Sequence, residues 1–105
     1  MPGSTAAIGV VAATAILATS LAALGGAAVV GQRLAAAADA GALAAADTAS
    51  GAITGVPCER AAEVAAEFGA GLESCQLDEL IATVTVTMPF AGLTARASAR
   101  AGPPP

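Results

Sequence analysis

The chain opens with a long apolar segment in which no residue is charged. Residues 6–30 contain no Asp, Glu, Lys or Arg, and as an α-helix they extend about 37 Å at about 1.5 Å per residue. The hydrocarbon core of a bilayer is about 30 Å thick, and about 20 apolar residues cross it. The pattern predicts a transmembrane helix over residues 6–31, after a short N-terminal segment of residues 1–5. Its aliphatic side chains are Ile8, Val10, Val11, Ile16, Leu17, Leu21, Leu24, Val29 and Val30.

Two other interpretations of this segment stay open. A cleavable secretory signal needs a basic region before the apolar run and an A-x-A-like cleavage site. Arg33 is the first basic residue, but the triplet Ala35-Ala36-Ala37 is similar to such a site. The segment can also form a buried helix of a soluble protein, although the rest of the chain is too rich in alanine to cover it. We favour the transmembrane interpretation.

Residues 32–50 predict a helical stalk that continues the anchor. The stretch is dominated by alanine, which has the highest helix propensity. A stripe of small side chains recurs at helical spacing and favours close packing against another helix rather than a bulky core. We predict that this stripe is a contact surface for another subunit, and its residues are Leu34, Ala38, Ala42 and Ala45. The alternative is a solvated surface helix.

Residues 51–101 predict a small head. Gly55 and Pro57 interrupt the helical pattern. A short amphipathic helix follows over about Cys58–Phe68, and Gly69 and Gly71 are its predicted stop signals.

The periodicity then changes from that of a helix to that of a strand. Leu72–Gln76 is a candidate short strand, and apolar and polar residues alternate clearly from Leu80 to Met88. We expect Pro89 to end that strand, a turn at 90–92, and a second alternating run from Leu93 with Arg96 and Arg100 on its solvent face. The prediction is two antiparallel strands packed on the short helix, followed by a disordered tail of residues 102–105. The fold class is therefore α+β, with a long N-terminal hydrophobic helix.

Composition and charge argue against several classes of function. The 105 residues carry a net charge of −4, with 56% hydrophobic but only 2% aromatic residues. Nucleic-acid binding uses clustered basic side chains and aromatic stacking platforms, whereas the arginines here are scattered. The chain has no His, so the usual nucleophile–base pairs cannot form. We therefore expect no enzymatic activity, no cofactor, no metal, no nucleic acid and no small-molecule substrate.

Two cysteines, Cys58 and Cys75, bracket the short helix. A disulfide between them closes a loop of about 17 residues and stabilises a small domain by about 3 kcal/mol on the chain-entropy account. Disulfides form in oxidising compartments, so the pair favours a head outside the cytoplasm. Arg33 alone favours the opposite orientation by the positive-inside rule, and we give the cysteines more weight. Two buried free thiols are the alternative.

The order of segments resembles a known family. The stretches QRLAAAADAGALAAA, CERAAEVAAEFGAGLESC, VTVT and ARASARAGP follow the apolar helix. This arrangement resembles the small actinobacterial TadE-like proteins of the tight-adherence (Flp-type) pilus family, which are found beside genes for a helicase and for pilus or secretion machinery. The most specific parts are the stretch 33–46 and the block from Cys58 to Cys75.

The resemblance implies a pilin-like subunit, either a minor pilin or a pseudopilin, of a Tad/Flp-type pilus or secretion apparatus. Its implied partners are the membrane and other pilin-like or secretion-system subunits. Its implied location is the cell membrane, as a single-pass protein with an extracytoplasmic C-terminal head. One position departs from the family pattern: after cleavage at Gly3 the fifth residue is Ile8, where processed pilins usually carry Glu. A secreted small binding module, released after signal cleavage, is the alternative function.

Overall fold

The structure, a computed structural model, describes residues 2–104. Its elements are, in chain order, α1 (Pro2–Ala49), α2 (Pro57–Glu67), β1 (Gly71–Asp78), β2 (Ile81–Phe90) and β3 (Leu93–Ala101). The long N-terminal apolar helix, the small helix and the antiparallel sheet predicted from the sequence are all present. Met1 and Pro105, which belong to the predicted terminal segments 1–5 and 102–105, lie outside the described residues; residues 2–5 are part of α1.

Both helices end in the same local structure. Gly51 follows α1 with φ +85°, and Gly69 follows α2 with φ +77°. After α2, the N–H of Gly69 donates to the carbonyl of Ala66 at 2.9 Å and the N–H of Ala70 donates to that of Ala65 at 3.0 Å. This pair of bonds is the Schellman motif, in which a left-handed glycine satisfies the last carbonyls of a helix. Gly69 is therefore the predicted stop signal of α2, and the helix begins at Pro57, where a missing N–H costs nothing.

The sheet has three strands in the order β1-β2-β3, and both pairs are antiparallel. The alternation predicted for β2 is confirmed, because one face of the strand is buried and the other is partly exposed. The prediction that Pro89 ends the strand is wrong. Pro89 pairs with Thr94 of β3, whereas β1 pairs with β2 only as far as Thr87. Pro89 thus lies where β2 has a single neighbour, and a missing N–H is tolerated at such an edge.

Two layers form the head. The C-terminal half of α1 crosses β2 and β3, while α2 packs beside α1 and over β1. The predicted arrangement, two strands on the short helix, is therefore corrected to three strands covered mainly by α1. The buried core consists of Leu34, Ala37, Ala38, Ala42, Ala45, Ala46, Ala61, Ala65, Ala70, Ala82, Val84, Val86 and Met88.

The molecule is elongated, with principal extents of 76 × 27 × 17 Å. Residues 2–29 of α1 are exposed along their whole length, and we call them the bare half of α1. The rest of α1, from Val30 to Ala49, belongs to the head. After β3, Gly102 lies against Ile81, because an added Cβ would come within 3.0 Å of the Cγ1 of Ile81.

Candidate functional site

The bare half of α1 is the most unusual surface of the molecule. Leu17 is 64% exposed and Ile8 71% exposed, and the other aliphatic side chains of this segment are similarly uncovered. Large contiguous apolar surfaces on soluble monomers are rare and indicate a membrane or protein contact. Within residues 2–104, α1 is the one helix long and apolar enough to cross a membrane by length and composition. A signal sequence near the N-terminus meets the same criteria.

The hydroxyl groups in the middle of the bare half, between residues 14 and 20, are satisfied within the helix. Thr14 donates to the carbonyl of Val10, Thr19 to that of Ala15 and Ser20 to that of Ile16, each at 2.8 Å. A hydroxyl bonded to the carbonyl four residues earlier needs no water or partner chain. These three side chains are therefore compatible with an environment that offers no hydrogen bonds.

The predicted subunit contact surface lies inside the head. Leu34, Ala38, Ala42 and Ala45 are at most 2% exposed. They form one packing stripe as predicted, but they belong to the core that α1 shares with α2 and the sheet. The prediction that this stripe contacts another subunit is corrected accordingly, because a second protein has no access to it.

Sequence reasoning missed four further buried residues of this helix. Ala37, Gly41, Ala46 and Thr48 are also buried, so the packed face of α1 is wider than a single row. At Gly41 an added Cβ would lie 3.5 Å from both the carbonyl oxygen of Ala61 and the Cγ1 of Val84. The missed signal is the recurrence of small residues three and four positions apart, which widens the face that a helix can bury.

The two cysteines form a disulfide between Cys58 and Cys75. Cys58 lies in the first turn of α2, and Cys75 lies opposite Val84 in the middle of β1. Their Cα atoms are 5.8 Å apart, within the usual range for a disulfide. The bond therefore joins the helical layer to an edge strand of the sheet.

The outer face of the sheet is polar. The hydroxyls of Thr85 and Ser98 are hydrogen-bonded to each other at 2.7 Å. Arg96 forms an ion pair with Glu73 across the sheet, with nitrogen and oxygen 3.1 Å apart. Arg96 and Arg100 are exposed, as predicted. A face of this kind needs no cover and is typical of a solvated sheet surface.

The acidic residues of α2 are also exposed to solvent. Arg60 pairs with Glu63 at 3.2 Å, and both side chains are largely exposed. Within residues 2–104, no group of His, Cys, Asp or Glu side chains is arranged to hold a metal ion.

No family model, curated protein or solved structure matches the chain. The features with functional content are therefore those of the molecule itself: a bare apolar helix, a disulfide-closed head built on the continuation of the same helix, and a polar outer sheet face.

Proposed function

We propose that the protein is anchored in a cell membrane by the bare half of α1. We propose further that it acts as a structural or assembly subunit, similar to a minor pilin or pseudopilin, of a Tad/Flp-type pilus or secretion apparatus. One observation carries the proposal: a single helix is uncovered over residues 2–29 and buried in the head from Leu34 onward. Lipid is the solvent that the first part requires, and water is the solvent that suits the polar surface of the second.

The proposed orientation places the head outside the cytoplasm. The disulfide between Cys58 and Cys75 supports this side, because cytosolic thiols are kept reduced. The chain then crosses the membrane once, and Arg33 follows the span on the side of the head.

The proposed mechanism is association between helices. Because the stripe at Leu34 is used by the protein's own head, the large apolar surface left for other subunits is the bare half. An added Cβ at Gly9, Gly25 or Gly26 would meet nothing within 4 Å. Small residues in lipid let helix backbones approach closely, and such contacts drive association of membrane helices.

Crosslinking in native membranes, followed by mass spectrometry, tests the assembly role. We expect crosslinks from the bare half to the apolar N-terminal helix of another pilin-like or secretion-system subunit. Replacing Gly9 and Gly25 by leucine keeps the segment apolar but blocks close approach, so these crosslinks should disappear, whereas the control Ile8→Leu should retain them. A protein that yields no crosslink to another membrane subunit contradicts the assembly role.

The alternative function is a small binding module released by signal cleavage. Cleavage near residue 36 would remove Leu34, whose side chain is the largest that α1 contributes to the buried core. Loss of a buried leucine side chain typically costs about 2–5 kcal/mol, which a head of this size can hardly spare. The intact mass of the exported protein separates the two functions: retention of residues 6–30 supports the anchor, and a chain that starts near residue 36 supports release.

A further inference from the structure

The turn between β2 and β3 is apolar, and its residues are exposed except for Phe90, which is half-buried. We call residues 89–93 the hairpin tip; they are Pro89, Phe90, Ala91, Gly92 and Leu93. Leu93 is 75% exposed, more than any other large hydrophobic residue of the head. No charged residue lies between Glu79 and Arg96 along the chain. A lone exposed leucine would need no explanation, but a wholly apolar tip is unusual for a turn.

The position of the hairpin tip along α1 follows from two contacts. At one level an added Cβ on Gly41 would lie 3.5 Å from Val84 of β2. Toward the end of α1, a shallow cleft is lined by Asp47 together with Gly102, and Gly102 lies against Ile81, where β2 begins. The chain of β2 therefore runs from the C-terminal end of α1 back toward the bare half.

The distance along β2 then places the tip beside the end of the bare half. From Val84 to Phe90 an extended chain covers about 20 Å at about 3.3 Å per residue. The same distance along a helix is about 13 residues at about 1.5 Å each. Counted back from Gly41, this reaches the level of Ala28, next to Val29 and Val30, the last aliphatic residues of the predicted span.

The two hairpin turns of the sheet differ in charge, although both carry exposed aliphatic side chains. The turn between β1 and β2, at the far end of the head, carries Asp78 and Glu79. The turn at the tip contains Ala91 at φ +51° followed by Gly92 at φ +79°. Two-residue turns with positive φ at both positions strongly prefer Asn-Gly or Asp-Gly. Ala91 therefore keeps the turn apolar, although its left-handed backbone conformation is less favourable for alanine than for Asn or Asp.

Two arginines lie closer to the middle of the head than the hairpin tip does. Arg33 is about 12 Å from the level of Gly41 along the helix, and Arg96, which pairs with Thr87, is about 10 Å from the level of Val84 along the sheet. The tip is about 10 Å beyond both, which is similar to the depth at which peripheral apolar segments enter the headgroup and acyl boundary. Glu73 forms an ion pair with Arg96, whereas no ion pair is formed by Arg33 among the described residues.

We propose that the hairpin tip is a second membrane contact, in which Phe90 and Leu93 enter the headgroup region of the bilayer that holds α1. The proposal rests on the proposed membrane anchor. The second contact fixes the tilt and rotation of the head relative to the membrane, because the helix and the hairpin tip then hold the head at two points. The turn at Glu79 then points away from the lipid, and the outer face of the sheet lies along the side of the head.

Single tryptophans test the contact, because the chain has no Trp of its own. The full chain is reconstituted at low protein density in vesicles of phosphatidylcholine and phosphatidylglycerol as Leu93→Trp, with Phe90→Trp as a second and more conservative probe. Leu80→Trp at the opposite turn is the matched control, and Leu17→Trp in the bare half reports on the anchor. Circular dichroism and an intact disulfide establish that each variant is folded.

We expect Leu93→Trp to emit at shorter wavelength than Leu80→Trp, to resist iodide, and to be quenched several-fold more strongly by lipids brominated near the headgroup. The tip contact is overturned if iodide quenches Leu93→Trp and Phe90→Trp as strongly as it quenches Leu80→Trp. If brominated lipid still quenches Leu17→Trp in that case, the proposed anchor is unaffected. If the tryptophan at the tip is protected from iodide only at high protein density, and brominated lipid does not quench it, the tip contacts another protein. That result also overturns the proposal. If Leu17→Trp itself escapes brominated lipid, the anchor and the tip contact both fail.

Discussion

At the scale of single residues, the head is built from side chains that bury little area. Nine of the thirteen buried hydrophobic residues are alanine. Each alanine adds little hydrophobic stabilisation, since that stabilisation grows with the apolar area removed from water. Small side chains do allow α1 to approach α2 and the sheet closely, and close-packed interiors tolerate added volume poorly. The core is therefore sensitive to enlargement more than to truncation.

Enlarging a buried alanine of α1 should destabilise the head. Ala42 is fully buried, whereas Ala36 on the same helix is exposed. Ala42→Leu should lower the free energy of unfolding by about 1–3 kcal/mol or more, because overpacking forces side chains and backbone to shift. Thermal unfolding in detergent micelles measures the change, with Ala36→Leu as the control of unchanged stability. Equal melting temperatures for the two variants would contradict the packing described here.

Two neighbouring glycines should respond differently to alanine. Gly69 has φ +77°, and Gly71 does not adopt a left-handed conformation. Gly69→Ala should cost about 1–2 kcal/mol, the penalty of placing a Cβ residue in that region. Gly71→Ala should be close to neutral, since its Cβ would meet only the hydroxyl oxygen of Thr87, at 3.8 Å. Denaturant unfolding compares the two; a Gly69→Ala protein as stable as Gly71→Ala would exclude a conformational role for Gly69.

At the scale of elements, α1 is one helix with two environments. Local periodicity is sufficient to predict the helix, the short α2, the alternating β2 and the stop at Gly69. It cannot reveal what covers a helix face, because a stripe at Leu34, Ala38 and Ala42 has the same spacing whether the neighbour is the same chain or another. The sequence alone therefore does not distinguish a contact with another subunit from packing within the head. The strand through Pro89 was missed for a similar reason, since only the pairing shows that β1 stops short of it.

The hairpin tip illustrates the same limit. Its turn is evident from Ala91 and Gly92, but the sequence does not indicate which end of the head it occupies. That position depends on the contact between Gly41 and Val84 and on the direction of β2 relative to α1. The cysteine pair, in contrast, was predictable, because only two cysteines are present and they bracket one short helix.

The disulfide should contribute measurably to the stability of the head. It ties α2 to the edge strand β1 across 17 residues of sequence separation. A loop of this size gives about 3 kcal/mol on the chain-entropy account. Replacing both Cys58 and Cys75 by alanine should therefore lower the melting temperature, and added reductant should lower that of the native protein alone. The contribution is refuted if reductant leaves the native protein's melting temperature unchanged.

At the scale of the whole molecule, an apolar rod carries a small water-compatible head at one end. The long axis measures 76 Å, and the bare half alone accounts for about 42 Å of it at about 1.5 Å per residue. Helix and head are continuous, so a force or a change of tilt applied to the bare half is transmitted directly to the core. The proposed anchor would hold the polar sheet face and the charged turn at a fixed distance from the membrane.

The most direct test of this account is whether the bare half holds the chain in the membrane. The aliphatic residues of the predicted span would favour insertion into a bilayer by roughly 3–5 kcal/mol, and an arginine at its centre opposes insertion by about 2.5–3.5 kcal/mol. Leu17→Arg should therefore lose much of its membrane association. Leu43→Arg is the matched control, because Leu43 is an exposed leucine of the same helix that lies alongside the head. Alkaline carbonate extraction of cell membranes measures the retained fraction of each full-length variant. The account predicts that the native chain and Leu43→Arg stay in the membrane pellet while Leu17→Arg is released. The account would be contradicted if the native chain, with its full mass and its disulfide intact, were recovered in the aqueous fraction.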